Sequence, residues 1–166
     1  MKLKILYILT FFLTIQIGSA QETMSDLLKK YNTKSVPYIS VQELAMPKTE
    51  AIILDAREKK EYETSHIKDA FHVGYDEFKI DTVSERIKNK EQKIVVYCSI
   101  GIRSEDIAEK LKKAGYTNVF NLYGGIFEWK NKKFPIYNTE GIETDNVHTF
   151  SKEWSHWLKN GTKIYE

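Results

Sequence analysis

Short apolar runs punctuate this chain and alternate between two periodicities. Residues 51–54 (Ala-Ile-Ile-Leu) and 94–97 (Ile-Val-Val-Tyr) are continuous, rich in β-branched and aromatic side chains, and bounded by polar residues. Such runs read as strands buried on both faces of a parallel sheet. Residues 70–73 and 118–122 read as two further strands, and 36–39 as an edge strand, since Pro37 has no N–H to give to a ladder. Between these runs the apolar residues recur at helical spacing. Leu27 and Leu28 mark a short helix over 25–31, and Ser40 with Glu43 forms a capping pattern that opens a brief helix through Leu44 and Ala45. Helices are also expected over 58–64 and, capped by Thr82 with Glu85, through Ile87. Ser104 opens a helix with Ile107, Ala108 and Leu111 on one face, stopped by Gly115, and Gly124-Gly125 turns into another that carries Ile126, Phe127 and Trp129. This alternation predicts an α/β fold with a parallel sheet flanked by helices on both faces. In such sheets ligands bind beyond the carboxyl ends of the strands.

The pattern changes at both ends of the chain. Residues 1–20 carry Lys2 and Lys4, then an apolar run over 5–17, then Gly18-Ser19-Ala20. That order predicts a secretory signal peptide cut before Gln21; the run is shorter than the ~20 residues of a spanning helix. An exported protein is expected, periplasmic or secreted, with no stable membrane anchor after cleavage. Without Lys2 and Lys4 the 25 basic residues become 23, equal to the 23 acidic ones, so no nucleic-acid partner is expected. At the far end Phe150, Trp154, Trp157 and Leu158 predict an amphipathic helix within 147–159. Its stripe is expected to pack on the core, the alternative being that it shields a site. The organisation is then a signal peptide (1–20), an N-terminal extension (21–35), one compact domain (36–137) and a C-terminal extension (138–166).

The candidate chemistry sits between the strand at 94–97 and the helix opened by Ser104. Cys98, the only cysteine, begins a loop continued by Ser99, Ile100, Gly101, Ile102 and Arg103. A strand–loop–helix aims loop N–H groups and the helix's positive end at one point, where an anion such as a thiolate is stabilised. Gly101 supplies the backbone freedom a tight cradle needs. A lone cysteine is more often a small buried hydrophobe, but the residues after this one are not core residues. In an oxidising compartment a single cysteine closes no internal disulfide, which points to a reactive thiol. Arg103 either orients an anionic donor or braces the loop against a carboxylate such as Asp55. Ile100 and Ile102 are expected to leave at least one side chain facing solvent beside Cys98. Glu105 and Asp106 suit the helix N-terminus but would oppose a thiolate if they leaned toward it.

These residues resemble the rhodanese-like domain family of sulfurtransferases over roughly residues 36–137. The likeness rests on Asp55-Ala56-Arg57, Glu61-Tyr62, His66-Ile67 and Ala70; on Cys98 to Ser104; and on Val119, Leu122, Gly124-Gly125 and Trp129. Ser65 and Asp69, both at expected turns, stand where the family commonly has glycine. The resemblance implies a parallel sheet of five strands, and a Cys98 that takes a sulfane sulfur from a donor, holds it as a persulfide and passes it to an acceptor. In that reading Cys98 is the nucleophile, and Ser99, Ile100, Gly101, Ile102, Arg103 and Ser104 form the substrate-binding cradle. Asp55, Arg57 and His66 are supporting residues, His66 fixing a turn. The partners implied are a small sulfur donor and a thiol acceptor, a partner protein's cysteine among the candidates.

Two other functions share parts of this pattern. A cysteine phosphatase also runs a loop from Cys to Arg into a helix, but that family's loop has five intervening residues where four stand here. A non-enzymatic interaction module on the same fold has no need of a reactive thiol. Neither metal nor cofactor is expected: His66 and His72 lack common ligand spacing, and His148 and His156 stand eight apart.

Overall fold

The computed structural model describes residues 22–165; the expected signal peptide lies outside them. From the N-terminal side the elements are α1 (Met24–Tyr31), β1 (Tyr38–Ile39), α2 (Val41–Leu44), β2 (Ile52–Asp55), α3 (Lys59–Thr64) and β3 (Phe71–His72). There follow α4 (Ile80–Arg86), β4 (Ile94–Tyr97), α5 (Arg103–Lys113), β5 (Val119–Leu122) and α6 (Gly125–Asn131). The remaining elements are short: β6 (Ile136–Tyr137), β7 (Glu143–Thr144), β8 (Asn146–His148), α7 (Lys152–Ser155) and β9 (Thr162–Ile164).

Five strands form one parallel sheet in the order β1-β5-β4-β2-β3. All four residues of central β4 are buried, yet they alternate between two cores. Val95 and Tyr97 join Leu27, Ile39, Val41, Ile126 and Phe127 on the side of α1, α2 and α6. Ile94 and Val96 join Leu54, Val83, Ile107 and Leu111 on the side of α4 and α5. A continuous apolar run thus serves two faces with period two, as a sheet covered on both sides requires. The chain leaves β2 toward β3 and leaves β4 toward β5, so the loops after β2 and β4 part in opposite directions. The crevice between them is a topological switch point, and Asp55 and Cys98 flank it.

Three sequence expectations need correction. The helix α4 starts at Ile80 after Lys79, with no side-chain cap, so Thr82 lies inside it. The helix after the Cys98 loop starts one residue early, at Arg103, with Ile102 at the N-cap. The stripe in 147–159 is not one helix: Val147 lies in β8, which pairs in parallel with β9, and only the four-residue α7 is helical. Phe150 sits between them at φ +62°, left-handed backbone that a right-handed helix cannot contain. The stripe accordingly splits, Trp157 and Leu158 entering the core and Phe150 remaining 52% exposed. Of the two expected glycine turn positions, Asp69 takes φ +60° while Ser65 is extended and donates its hydroxyl to the Asn146 carbonyl at 2.6 Å. Asp tolerates left-handed backbone better than most residues, so the turn survives without glycine.

Candidate active site

Cys98 follows β4 and is only 1% exposed. Its loop curls back so that the Gly101 N–H donates to the Cys98 Sγ at 3.1 Å, with the Ser104 hydroxyl 3.5 Å from the same sulfur. Gly101 has φ +103°, and a Cβ there would lie 3.3 Å from the Leu122 carbonyl oxygen, so the curl requires glycine. The Gly101 carbonyl points the other way and accepts from Asn121 Nδ2 at 2.8 Å, while Ser104 donates to Asn121 Oδ1 at 2.7 Å. One buried amide on β5 therefore ties the middle of the loop to its end.

The other loop carbonyls are held by α6. Ile126 N–H donates to the Cys98 carbonyl at 2.9 Å and Phe127 N–H to that of Ser99 at 3.1 Å. This approach is so close that a Cβ on Gly125 would lie 2.3 Å from the Cys98 carbonyl oxygen. With carbonyls drawn outward to α6 and Asn121, the loop is free to turn the Gly101 N–H toward the sulfur.

Arg103 pairs with a carboxylate, and that partner is Glu61, not Asp55. Its two terminal nitrogens reach the two Glu61 oxygens at 2.7 Å each, and Ser99 Oγ lies 3.0 Å from both Arg103 Nη2 and Glu61 Oε1. Burial alone would raise the Glu61 pKa, but the hydrogen bonds and charge of Arg103 hold it below the ordinary value. Burial works against the Arg103 charge, and Glu61 together with Cys98 raises that pKa above the ordinary guanidinium value. Glu61 is 1% exposed on its side chain and Arg103 17%. Arg103→Ala would strand a buried carboxylate, which costs roughly 3–5 kcal/mol. A depressed carboxylate pKa contributes stability above the unfolded Glu value of about 4.3 and loses it as pH falls through the lower folded value. The urea-unfolding difference between wild type and Arg103→Ala is therefore expected to be large at neutral pH and to shrink below about pH 4.

Asp55 and Arg57 form a separate, fully buried pair at the end of β2. Arg57 Nη2 reaches Asp55 Oδ2 at 2.6 Å and the Ser65 carbonyl at 2.6 Å, and Tyr97 donates to Asp55 Oδ2 at 2.6 Å. His66 stacks on Tyr62 with ring centroids 4.1 Å apart, and its Nδ1 meets the Tyr62 carbonyl at 3.1 Å. These three residues hold the β2–α3 crossover, which delivers Glu61 to the loop. Glu105 accepts from Ser35 N–H at 3.0 Å and Asp106 from the Tyr75 hydroxyl at 2.7 Å, so both are engaged away from the sulfur.

A sequence profile described as Rhodanese-like domain matches residues 40–132. The chain belongs to the rhodanese-like domain family. It is similar to a protein named thiosulfate sulfurtransferase GlpE from Coxiella burnetii (strain RSA 331 / Henzerling II), with 34% identity over 97 residues, 58% of this chain and 87% of that protein. It is also similar to the tRNA uridine(34) hydroxylase of Hamiltonella defensa, 36% identical over 98 residues, but these span only 27% of that protein. The crystal structure of a thiosulfate sulfurtransferase from Pseudomonas aeruginosa superposes with TM-score 0.56 at 25% identity, covering 72% of this chain and 23% of that one.

Segments outside the matched rhodanese-like region complete the site. Asn32, the C-cap of α1, donates to the Gly101 carbonyl at 2.8 Å, a second amide on the oxygen that Asn121 holds. The segment joining β8 to α7 reaches the mouth. A cavity of about 210 Å³ opens over Cys98 between Ile100, Ile102 and Arg103 of the loop. Its far wall is Phe150 and Trp154. Phe150 lies across the Arg103 guanidinium, 5.0 Å from ring centroid to Cζ, and Tyr31 meets Trp154 edge-on at 6.0 Å. The expectation of core packing holds for Trp157 and Leu158, and for Trp154, which packs against the same core while also walling the cavity; it is corrected for Phe150, which is exposed at the mouth. Ile100 is buried and Ile102 half-buried, each with a surface on the cavity.

Phe150 is held there against its own backbone preference. Ser151 N–H donates to the Thr149 carbonyl at 2.7 Å, closing a three-residue turn, and Phe150 N–H donates to His148 Nδ1 at 3.2 Å. A non-glycine residue in left-handed backbone costs on the order of 1–2 kcal/mol. The segment is pinned at its base to the C-terminal end of α6. Lys130 pairs with Asp145 at 2.5 Å, and Asn131 Oδ1 accepts from Lys159 N–H at 2.7 Å while its Nδ2 donates to the Trp157 carbonyl at 2.9 Å. Asn32, Asn121, Phe150 and Trp154 carried no motif; only Glu61 stood in a recognisable signature, and without a role.

Proposed function

We propose that this chain is a sulfurtransferase that carries sulfane sulfur as a persulfide on Cys98. The observation that supports this best is the position of the sulfur, curled under its own loop with the Gly101 N–H aimed at it from 3.1 Å. Such a cradle favours an anion, and both the attacking thiolate and the product persulfide are anions. With thiosulfate as donor, the Cys98 thiolate attacks the outer sulfur. The donor S–S bond breaks, sulfite leaves with the electron pair, and Cys98 holds one added sulfur. An acceptor thiolate then attacks that terminal sulfur, and Cys98 leaves as thiolate.

Cys98 is the only cysteine, so no second thiol in the chain can discharge the persulfide. The acceptor is therefore external: a small thiol or a partner protein's cysteine. The leader pattern of residues 1–20 supports an exported, periplasmic or secreted site of action. The equal acidic and basic counts after the leader favour a small-molecule or protein partner over nucleic acid. The reading is tested by intact and peptide mass spectrometry after incubation with thiosulfate or an organic persulfide. One added sulfur on the Cys98 peptide, removed by excess thiol, is expected; an unmodified Cys98 with every sulfane donor would overturn the reading.

A further inference from the structure

The cavity over Cys98 must receive whatever group the sulfur arrives on and departs from, and its lining is chemically one-sided. Ile100, Ile102, Phe150 and Trp154 present hydrocarbon or aromatic surface. The one charged side chain among its lining residues is Arg103, whose terminal nitrogens are already satisfied by Glu61 at 2.7 Å each. The exposed face of that guanidinium is overlaid by the Phe150 ring. A dianionic leaving group such as sulfite would lose water in this mouth and find no uncommitted cation. An uncharged hydrocarbon group would instead gain from burial. The size also fits, since an apolar cavity of about 150 Å³ accepts benzene and this one is about 210 Å³.

Resting on the persulfide reading above, we propose that the substrates are low-molecular-weight organic persulfides and thiols with an apolar substituent, and that Phe150 and Trp154 select them. In this reaction the Cys98 thiolate attacks the outer sulfur of R–S–S⁻, the S–S bond breaks, and R–S⁻ departs with the electron pair. Total charge is unchanged and no external oxidant is needed. The R group lies between Ile102 and the two aromatic rings while the outer sulfur faces Cys98 and the inner sulfur stands behind it, in line to leave. The strained turn that holds Phe150 in place has a use under this assignment, because a relaxed turn would not keep the ring over Arg103.

The test compares benzyl persulfide, released in situ from its trisulfide, with thiosulfate in wild type, Phe150→Gly and Trp154→Ala. Glycine relieves the φ +62° backbone, so Phe150→Gly is expected to fold at least as stably as wild type. Wild type is expected to have the higher kcat/KM with benzyl persulfide. In each variant the ratio of kcat/KM for benzyl persulfide to that for thiosulfate is expected to fall about tenfold or more. A wild type that prefers thiosulfate would overturn the proposal, as would variants whose ratio is unchanged, even if both rates fell together. Either result leaves sulfur loading on Cys98 intact. Failure of both donors to load Cys98 would instead remove the persulfide reading and this proposal with it.

Discussion

Gly125→Ala is expected to lose sulfur transfer by about a hundredfold or more and to cost more than about 2 kcal/mol of stability. Two penalties combine at this position. Gly125 has φ +55°, where any other L-residue is strained, and an added Cβ would lie 2.3 Å from the Cys98 carbonyl oxygen and 2.7 Å from the Ser99 carbonyl carbon. The neighbours are backbone, so nothing flexible can move aside. Relief requires α6 to retreat or the loop to shift, and either breaks the Ile126 and Phe127 hydrogen bonds that hold the loop carbonyls outward. The sulfur then leaves the line of the Gly101 N–H. Gly115→Ala is the matched control: its φ is +92°, but a Cβ there meets nothing within 4 Å, so it carries the dihedral cost alone. Urea unfolding and a thiosulfate-to-thiol assay on both variants separate close approach from backbone strain. Activity within tenfold of wild type in Gly125→Ala would show that α6 does not clamp the loop.

Cys98→Ser is expected to abolish transfer down to the uncatalysed rate with little change in unfolding free energy. The serine oxygen is smaller than sulfur but occupies the same site, facing the Gly101 N–H and the Ser104 hydroxyl, so the buried position stays polar and partnered. A hydroxyl does not form the sulfur–sulfur bond on which the proposed cycle depends. With one cysteine in the chain, no other residue can take over the role. Residual thiol-dependent turnover well above background in this variant would mean that the sulfur never passes through position 98.

The sheet was legible because its strands are short, uninterrupted apolar runs, and Ile94–Tyr97 announced a strand without reference to the rest of the chain. The Cys98 loop was legible for a related reason: it is local, packed between one strand and one helix. What bound the loop was not legible. Arg103 offered two readings, and the choice depended on which carboxylate the β2–α3 crossover delivers, a matter of three-dimensional register in which Glu61 arrives and Asp55 is already taken by Arg57. Asn32 and Asn121 meet on one carbonyl from positions 89 apart in the chain, which no spacing rule encodes. Phe150 misled because its spacing from Trp154 and Trp157 is helical, whereas a hydrogen bond from Phe150 N–H to His148 Nδ1 and a tight turn put it in left-handed backbone. Periodicity reports which face is apolar only where the chain stays regular.

One helix bears on both walls of the mouth. The first turn of α6 holds the Cys98 and Ser99 carbonyls, and its last residues, Lys130 and Asn131, hold the segment that carries Phe150 and Trp154. Seven residues of α-helix rise about 10 Å, and that length is set by covalent geometry and a hydrogen-bonded backbone. The aperture therefore behaves as a fixed-gauge opening, not as a pair of jaws. Its width is dictated by a strut beneath the floor, and a guest that is slightly too large meets the stiffness of a helix instead of the give of a loop.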